Sequence, residues 1–149
     1  MTAPGGEFGV GVVCGIGVDA VDVVRFRQVM ERRPALVDRL FTDSERAYAQ
    51  RSRDPGPRLA VRFAAKEAVL KALGVGIGAA GFRDVEVMRG DGGEPRVALS
   101  GRAAALSARL GVHRWHVSLT HTDTVAVASV IAEGSPHAAQ ATRASGATP

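Results

Sequence analysis

The stretch RLAVRFAAKEAVLKAL, residues 58–73, is the longest helical pattern in the chain. The apolar face of this helix is formed by four larger side chains, with several alanines beside them: Leu59, Phe63, Leu70 and Leu73. Gly74 follows at a position suited to the left-handed conformation that ends many helices. The pattern therefore predicts one long helix that ends at Gly74.

Upstream of this helix, the sequence predicts a buried strand followed by two further helices. Residues 12–19 (VVCGIGVD) form a short apolar run whose two internal glycines suggest close approach of another backbone or a ligand. Residues 19–33 are predicted as a helix that Pro34 ends or restarts. The sequence Thr42-Asp43-Ser44-Glu45 is a capping-box pattern, which predicts a short helix reaching about Arg51.

Downstream of the long helix, the sequence pattern predicts mainly strands. Residues 82–88 and 96–99 predict a hairpin, residues 101–110 a helix capped by Ser100, and residues 115–119 and 125–131 a second hairpin. The order of strand, three helices, hairpin, helix and hairpin predicts an α+β fold with helices packed on a mostly antiparallel sheet. We expect a flexible arm over 1–11, one folded domain over 12–133 and a disordered tail over 134–149.

Length and composition narrow the class of protein. The 149 residues suffice for one domain with its own core. A single cysteine, Cys14, excludes an intrachain disulfide framework and a multi-cysteine zinc site, and is more typical of a small core residue than of a nucleophile. This composition favours a cytoplasmic location. No signal peptide and no apolar run of the ~18–20 residues needed to span a bilayer are visible, so we expect no membrane partner.

Positive charge is concentrated in one part of the chain. The net charge is +4, and residues 25–71 carry twelve Arg or Lys against six Asp or Glu. Such a basic field attracts nucleic acid, phosphorylated ligands or an acidic protein. Both lysines of the chain, Lys66 and Lys71, lie within six residues of each other. Lysine is a compact point charge, suited to a phosphate where the planar arginine does not fit.

Three residues of this region could form a site for phosphoryl-group chemistry. Asp19 follows the first strand and Glu67 lies in the long helix, one turn before Lys71. Taken alone, Asp19 is typical of a helix N-cap, and Glu67 with Lys71 of an exposed ion pair. Taken together, two carboxylates make an oxygen site suited to Mg²⁺, with Lys71 facing the phosphates that the metal would also touch. His121, at a predicted strand end, is a turn histidine, a phosphate contact or a proton acceptor.

Four segments now resemble those of one family, the phosphopantetheinyl transferases of the small holo-acyl-carrier-protein synthase type. They are GIGVD (15–19, with Val24-Arg25-Phe26 following), FTDSE (41–45), RFAAKEA (62–68, continuing to KALG at 71–74) and VSLTHT (117–122). Together they span about residues 12–132. The RFAAKEA segment, with a lysine four residues after its glutamate, is the most specific of the four.

This resemblance implies a reaction. The 4′-phosphopantetheine arm of coenzyme A moves to a serine hydroxyl of an apo acyl carrier protein, and adenosine 3′,5′-bisphosphate leaves. By position, Asp19 and Glu67 correspond to Mg²⁺ ligands, and Lys71 and Arg62 to phosphate contacts. The resemblance also implies that Lys66 and His121 line the phosphate site.

The resemblance further implies partners. Arg25 corresponds to part of the surface that receives the carrier protein, and family members of this size form homotrimers with sites between subunits. Acyl carrier proteins are acidic, so Arg32 and Arg33 on the same predicted helix are further candidate contacts. The base that deprotonates the serine is a water on the metal, a carboxylate or His121.

One departure and one competing hypothesis accompany this reading. Asp22 lies where the family pattern leads us to expect a glutamate, so any contact it makes with the metal would need a bridging water. The competing hypothesis is a non-catalytic module that binds an acidic protein or nucleic acid through its arginines. Aromatic residues for base stacking are scarce, which disfavours a nucleic-acid partner.

Overall fold

The computed structural model describes residues 10–135, which form two antiparallel sheets and five α-helices. In chain order the elements are β1 (Val12–Asp22), α1 (Val23–Arg32), α2 (Ala35–Leu40), α3 (Asp43–Gln50), α4 (Gly56–Ala72), a 3₁₀ turn (Phe82–Asp84), β2 (Val85–Arg89), β3 (Pro95–Leu99), α5 (Gly101–Arg109), β4 (Val112–His121) and β5 (Val125–Gly134). Of the expected arm (1–11) and tail (134–149), residues 1–9 and 136–149 lie outside the described residues, and Gly134 is the last residue of β5. No helix of the described part is long and apolar enough to cross a membrane.

The main sheet has the strand order β1-β5-β4, and every pairing in it is antiparallel. The hairpin β2–β3 forms a separate two-stranded sheet. The predicted α+β fold, with helices on a mostly antiparallel sheet, is therefore confirmed.

Helix α4 lies against the main sheet at unusually short range. A Cβ atom at Gly15 or Gly17 of β1 would collide with the backbone carbonyl oxygens of Ala72 and Ala68 on α4. The predicted close backbone approach at these two glycines is therefore correct. Alanines on the helix make the contact possible, because a larger side chain would hold the sheet away: Ala60, Ala64, Ala65 and Ala68 are fully buried.

The first helix begins later than the sequence pattern predicts. Strand β1 keeps pairing with β5 as far as Asp22, opposite Val125, so residues 19–22 are strand and not helix. Helix α1 then starts at Val23, because the Asp22 carboxylate accepts a hydrogen bond from the Arg25 amide (2.8 Å) and caps it. Asp22 is thus the N-cap in place of Asp19.

Other boundaries differ for local reasons. Pro34 restarts the chain as a separate helix, α2, so four helices and not three precede the first hairpin. Ser100 makes no side-chain hydrogen bond to α5. The Asp84 carboxylate, from the 3₁₀ turn, accepts from the Arg102 amide instead (3.1 Å). The capping box of Thr42 and Glu45 is present as predicted.

Candidate active site

A groove of about 720 Å³ opens between the end of β1, helices α1, α2 and α4, and the loop that follows α4. Three acidic residues, Asp19, Asp22 and Glu67, line it, and so does Arg25 of α1. Much of the remaining lining is apolar, including the rings of Phe63 and Phe82. The groove therefore combines a small charged site with an apolar wall.

Asp19 is held by the sheet and paired with a lysine from α4. Its backbone pairs with Ala128 of β5, and its side chain is 17% exposed. Asp19 Oδ1 lies 2.8 Å from Lys71 Nζ, which also donates to the Val18 carbonyl (2.9 Å). Lys71 is itself 51% exposed, so its side chain remains open to solvent beside Asp19.

Glu67 lies in the same groove, and its surroundings shift the pKa of its carboxyl. Partial burial raises the pKa of the Glu67 carboxyl, the negative charge of Asp19 raises it further, and Lys71 lowers it. Lys71 pairs with Asp19, and in the described part of the chain no Glu67–Lys71 ion pair accompanies it. Folding has therefore brought the two carboxylates predicted from sequence into electrostatic contact.

The donor set suits a divalent cation. Mg²⁺ is commonly held by one or two carboxylates, with substrate phosphates and water completing its ligands. Within residues 10–135 no group of three or more His, Cys, Asp or Glu side chains could hold a metal by itself. A cation between Asp19 and Glu67 would offset the repulsion that raises the Glu67 pKa. The residues present therefore fit a magnesium ion that keeps open positions for a substrate.

Arg62 lies in a second, smaller pocket of about 250 Å³, which it shares with Tyr48 and Arg89. The guanidinium lies 4.2 Å from the centre of the Tyr48 ring, and Nη1 donates to the Arg58 carbonyl (3.1 Å). Its Nε atom is buried without a hydrogen-bond partner among the described residues, and burial lowers the pKa of Arg62. An anion in this pocket would supply the missing acceptor.

Lys66 does not line the groove, so the structure does not place it beside Asp19 and Glu67. The side chain is fully buried, and Nζ lies 2.8 Å from Glu45 Oε2. Nζ also donates to the carbonyls of Phe82 (2.8 Å) and Val85. An ammonium has three donors, and here all three have acceptors inside the protein. No donor is left for a phosphate.

His121 is separated from the groove by a strand. It ends β4 and pairs with Ala126 of β5, whose other neighbour is Val21 of β1. Two strand spacings, roughly 10 Å, therefore divide His121 from β1. The structure does not bring His121 to the groove of its own chain.

Arg25 and Arg32 are both exposed on α1. Seven residues separate them, so they lie two turns apart on the same side of the helix. Among the ion pairs of residues 10–135, none involves either arginine. Arg33 is the C-cap residue of α1.

Sequence reasoning missed two features of the site. Tyr48 and Arg89 meet across 41 residues, with Arg89 Nη1 donating to the Tyr48 hydroxyl (2.9 Å). Phe63 and Phe82 stack with their ring centres 5.5 Å apart, although one lies on α4 and the other in the 3₁₀ turn. Neither pair has a sequence signal, because both contacts join segments far apart in the chain.

Comparison with known proteins identifies the family. The family model of the 4′-phosphopantetheinyl transferase superfamily matches residues 15–130. The holo-[acyl-carrier-protein] synthase of Frankia casuarinae is 50% identical over 121 residues, which cover 81% of this chain and 98% of that protein. The same enzyme of Moorella thermoacetica is 44% identical over 119 residues, covering 80% and 93%.

Solved structures agree. The holo-[acyl-carrier-protein] synthase of Neisseria meningitidis superposes with a TM-score of 0.74 at 30% identity, covering 81% of this chain and 98% of that one. A Bacillus anthracis synthase in complex with coenzyme A (3′,5′-ADP) superposes with a TM-score of 0.69 at 32% identity, covering 85% and 100%. This chain is therefore an enzyme of the 4′-phosphopantetheinyl transferase superfamily, of the holo-acyl-carrier-protein synthase type.

Proposed function

We propose that this chain transfers the 4′-phosphopantetheine arm of coenzyme A to a serine hydroxyl of an apo acyl carrier protein and releases adenosine 3′,5′-bisphosphate. The observation that carries the proposal is that Asp19 and Glu67 line one groove and that Lys71 pairs with Asp19 there. These residues come from β1 and from two successive turns of α4. Two carboxylates and an ammonium are the groups that a metal-assisted transfer from a diphosphate requires.

Asp19 and Glu67 would hold Mg²⁺. When bound, the metal neutralises charge on the diphosphate and so makes the bisphosphate a better leaving group. Lys71 orients the Asp19 carboxylate through its 2.8 Å hydrogen bond and presents the rest of its charge to the phosphates. Arg62, whose Nε has no hydrogen-bond partner among residues 10–135, is a second phosphate contact, from the smaller pocket. Lys66 has no part in phosphate binding in this proposal.

Arg25 and Arg32 would receive the carrier protein. Both are exposed on the same side of α1, and Arg25 reaches the groove where the serine must arrive. The excess of positive charge over residues 25–71 would steer an acidic partner to this side. Replacing Arg25 and Arg32 together should raise the KM for the carrier and weaken its dependence on salt.

The chain would act as a homotrimer in which neighbouring copies complete each site. Gly15 and Gly17 face α4, so the alternate residues Ile16 and Val18 point to the opposite side of the sheet. Ile16 and Val18 are 69% and 57% exposed, and Ile131, opposite Ile16, is 38% exposed. An apolar sheet face of this kind suits a contact with another copy. His121, distant from its own groove, would then serve the groove of a neighbour.

The direct test mixes the protein with coenzyme A, Mg²⁺ and an apo carrier protein, and weighs the carrier by intact-protein mass spectrometry. The carrier should gain the mass of one phosphopantetheine group, and omission of Mg²⁺ should abolish the gain. A panel of fatty-acid and polyketide carriers, none of which gains mass, would overturn the proposal. A non-catalytic module would bind the carrier without Mg²⁺ or coenzyme A and leave its mass unchanged.

The shared site has its own test. Glu67→Gln and His121→Ala are expected to be inactive alone, yet a mixture assembled after partial unfolding should regain activity, because some sites would combine an intact Glu67 with an intact His121. Sedimentation should give a trimer for the wild type and smaller species for Ile16→Asp. No recovery in mixed trimers would place both residues in the same chain's site.

The cytoplasmic location remains a prediction from composition.

A further inference from the structure

A fully buried ion pair lies directly behind the groove, and the proposed reaction does not use it. Lys66 is 0% exposed and Glu45 is 1% exposed. Their charged atoms, Nζ and Oε2, lie 2.8 Å apart. Lys66 precedes Glu67 in sequence, so the pair adjoins a residue of the site, but its side chain points about 100° away from Glu67 around α4.

The pair holds the backbone of three separate segments. Lys66 Nζ donates to the carbonyls of Phe82 (2.8 Å) and Val85. Glu45 Oε1 accepts from the Val87 amide (2.9 Å), and Oε2 accepts from the Thr42 amide (2.9 Å). The first turn of α3, the middle of α4 and the segment 82–87 are thereby joined through two side chains.

Stability alone does not account for such a pair. Replacing a buried ion pair by apolar residues of similar volume is often neutral or stabilising, because taking both charges out of water is costly. Apolar residues, however, cannot bond to backbone groups in fixed directions. What Lys66 and Glu45 supply beyond packing is the orientation of segment 82–87 relative to α4.

That orientation determines the apolar wall of the groove. Phe82 stacks on Phe63 of α4 with the rings 25° apart, and both rings line the groove that contains Asp19 and Glu67. Asp19 and Glu67 themselves depend on the close approach of β1 to α4, to which Lys66 contributes no hydrogen bond. The wall and the carboxylates are therefore held by different contacts.

We propose that Lys66 and Glu45 are positioning residues that hold the Phe63–Phe82 wall for the coenzyme A molecule. This inference rests on the proposed function, since coenzyme A is the ligand it names. Loosening the wall should weaken coenzyme A binding, while the carboxylates remain in place for the transfer. Loss of the pair is thus expected to raise the KM for coenzyme A far more than it lowers kcat.

The test uses the double variant Glu45→Gln/Lys66→Met, which removes both charges and leaves no buried charge unpaired. The KM and the calorimetric Kd for coenzyme A should both rise about tenfold, with kcat within about twofold of the wild type. Val130→Ala, which truncates a buried side chain of β5, serves as the control for lost stability. It should lower Tm without changing either constant.

Amide hydrogen exchange of the protein without ligand gives a readout independent of activity. Exchange should accelerate over segment 82–87 in the double variant and remain unchanged in the β1–β5 ladder. A raised KM with unchanged exchange would mean that Lys66 contacts the phosphates directly, and a wild-type KM would mean that the pair is only structural; either result overturns the inference. If the wild type transfers nothing and binds no coenzyme A, the proposed function fails, and unchanged exchange would then reject the positioning role separately.

Discussion

The two lysines of the chain lie five residues apart on α4 and occupy opposite environments. Lys71 is half exposed and pairs with Asp19 at the groove, whereas Lys66 is fully buried and pairs with Glu45 behind it. Both ammonium groups lie 2.8 Å from a carboxylate oxygen. The same ion-pair geometry therefore leaves one charge available to a ligand and uses the other entirely within the protein. The side of the helix, and not the residue type, separates the two roles.

The largest effect is expected at the carboxylate beside Lys71. Glu67→Gln should reduce transfer by about 10³-fold or more, because it removes one of two proposed metal ligands. The Tm of the protein should not fall, since burial and Asp19 already disfavour the charge of Glu67. Asp91→Asn, at an exposed residue of the β2–β3 turn, is the matched control. Full activity of Glu67→Gln would show that the Glu67 carboxylate is not needed for the transfer.

The next largest effect is expected on stability, when Lys66 is replaced and Glu45 stays buried without a counter-charge. Lys66→Met alone should lower the free energy of unfolding by about 3–5 kcal/mol, because the Glu45 carboxylate would remain buried without its counter-charge. Urea denaturation followed by circular dichroism measures this change. Adding Glu45→Gln should restore much of the loss. A single variant as stable as the wild type would contradict the burial of the pair.

The exposed lysine should respond in the opposite way. Lys71→Met is expected to change the free energy of unfolding by no more than about 1 kcal/mol, since a half-exposed ion pair contributes little to stability. Transfer should nevertheless fall by about 10²-fold, because a charge that faces the phosphates is lost. Steady-state kinetics and urea denaturation on one preparation measure both quantities. A large loss of stability with retained kcat would mean that Lys71 supports the fold and takes no part in the transfer.

The smallest effect concerns the ionisation of Tyr48, whose ring lies against Arg62, one turn before Lys66 on α4. Burial raises the pKa of the Tyr48 phenol, but the hydrogen bond from Arg89 and the charges of Arg58 and Arg62 outweigh burial and lower it. The folded state therefore gains stability as pH rises through this lowered pKa. The chain has one tyrosine, so the tyrosinate absorbance titrates Tyr48 alone.

Arg89→Met should move that titration to higher pH, and Arg96→Met, at an exposed arginine of β3, should leave it in place. In urea, both variants and the wild type should titrate near the ordinary value of about 10. A wild-type midpoint that does not differ between folded and unfolded protein would show that the arginines do not act on Tyr48.

Local patterns predicted much of the fold. The capping box at Thr42 and Glu45, the left-handed Gly74 (φ 71°) and both hairpins are present, because each depends on residues close in sequence. The start of α1 was wrong by four residues. Pairing with β5, which lies more than a hundred residues later, extends β1 through residues with no strand signal of their own.

The features of the candidate site likewise fall into those set by residues close in sequence and those set by tertiary contacts. By itself, the sequence determined the helix that carries Glu67 and Lys71, the strand that carries Asp19 and the glycines that let the two approach, since spacing and residue type depend on neighbours in the chain. Only the tertiary structure decided that Lys71 turns to Asp19, that Lys66 turns inward to Glu45 and that Phe82 reaches Phe63. The role of a helical side chain depends on the groups that surround it, and residues distant in sequence supply those groups.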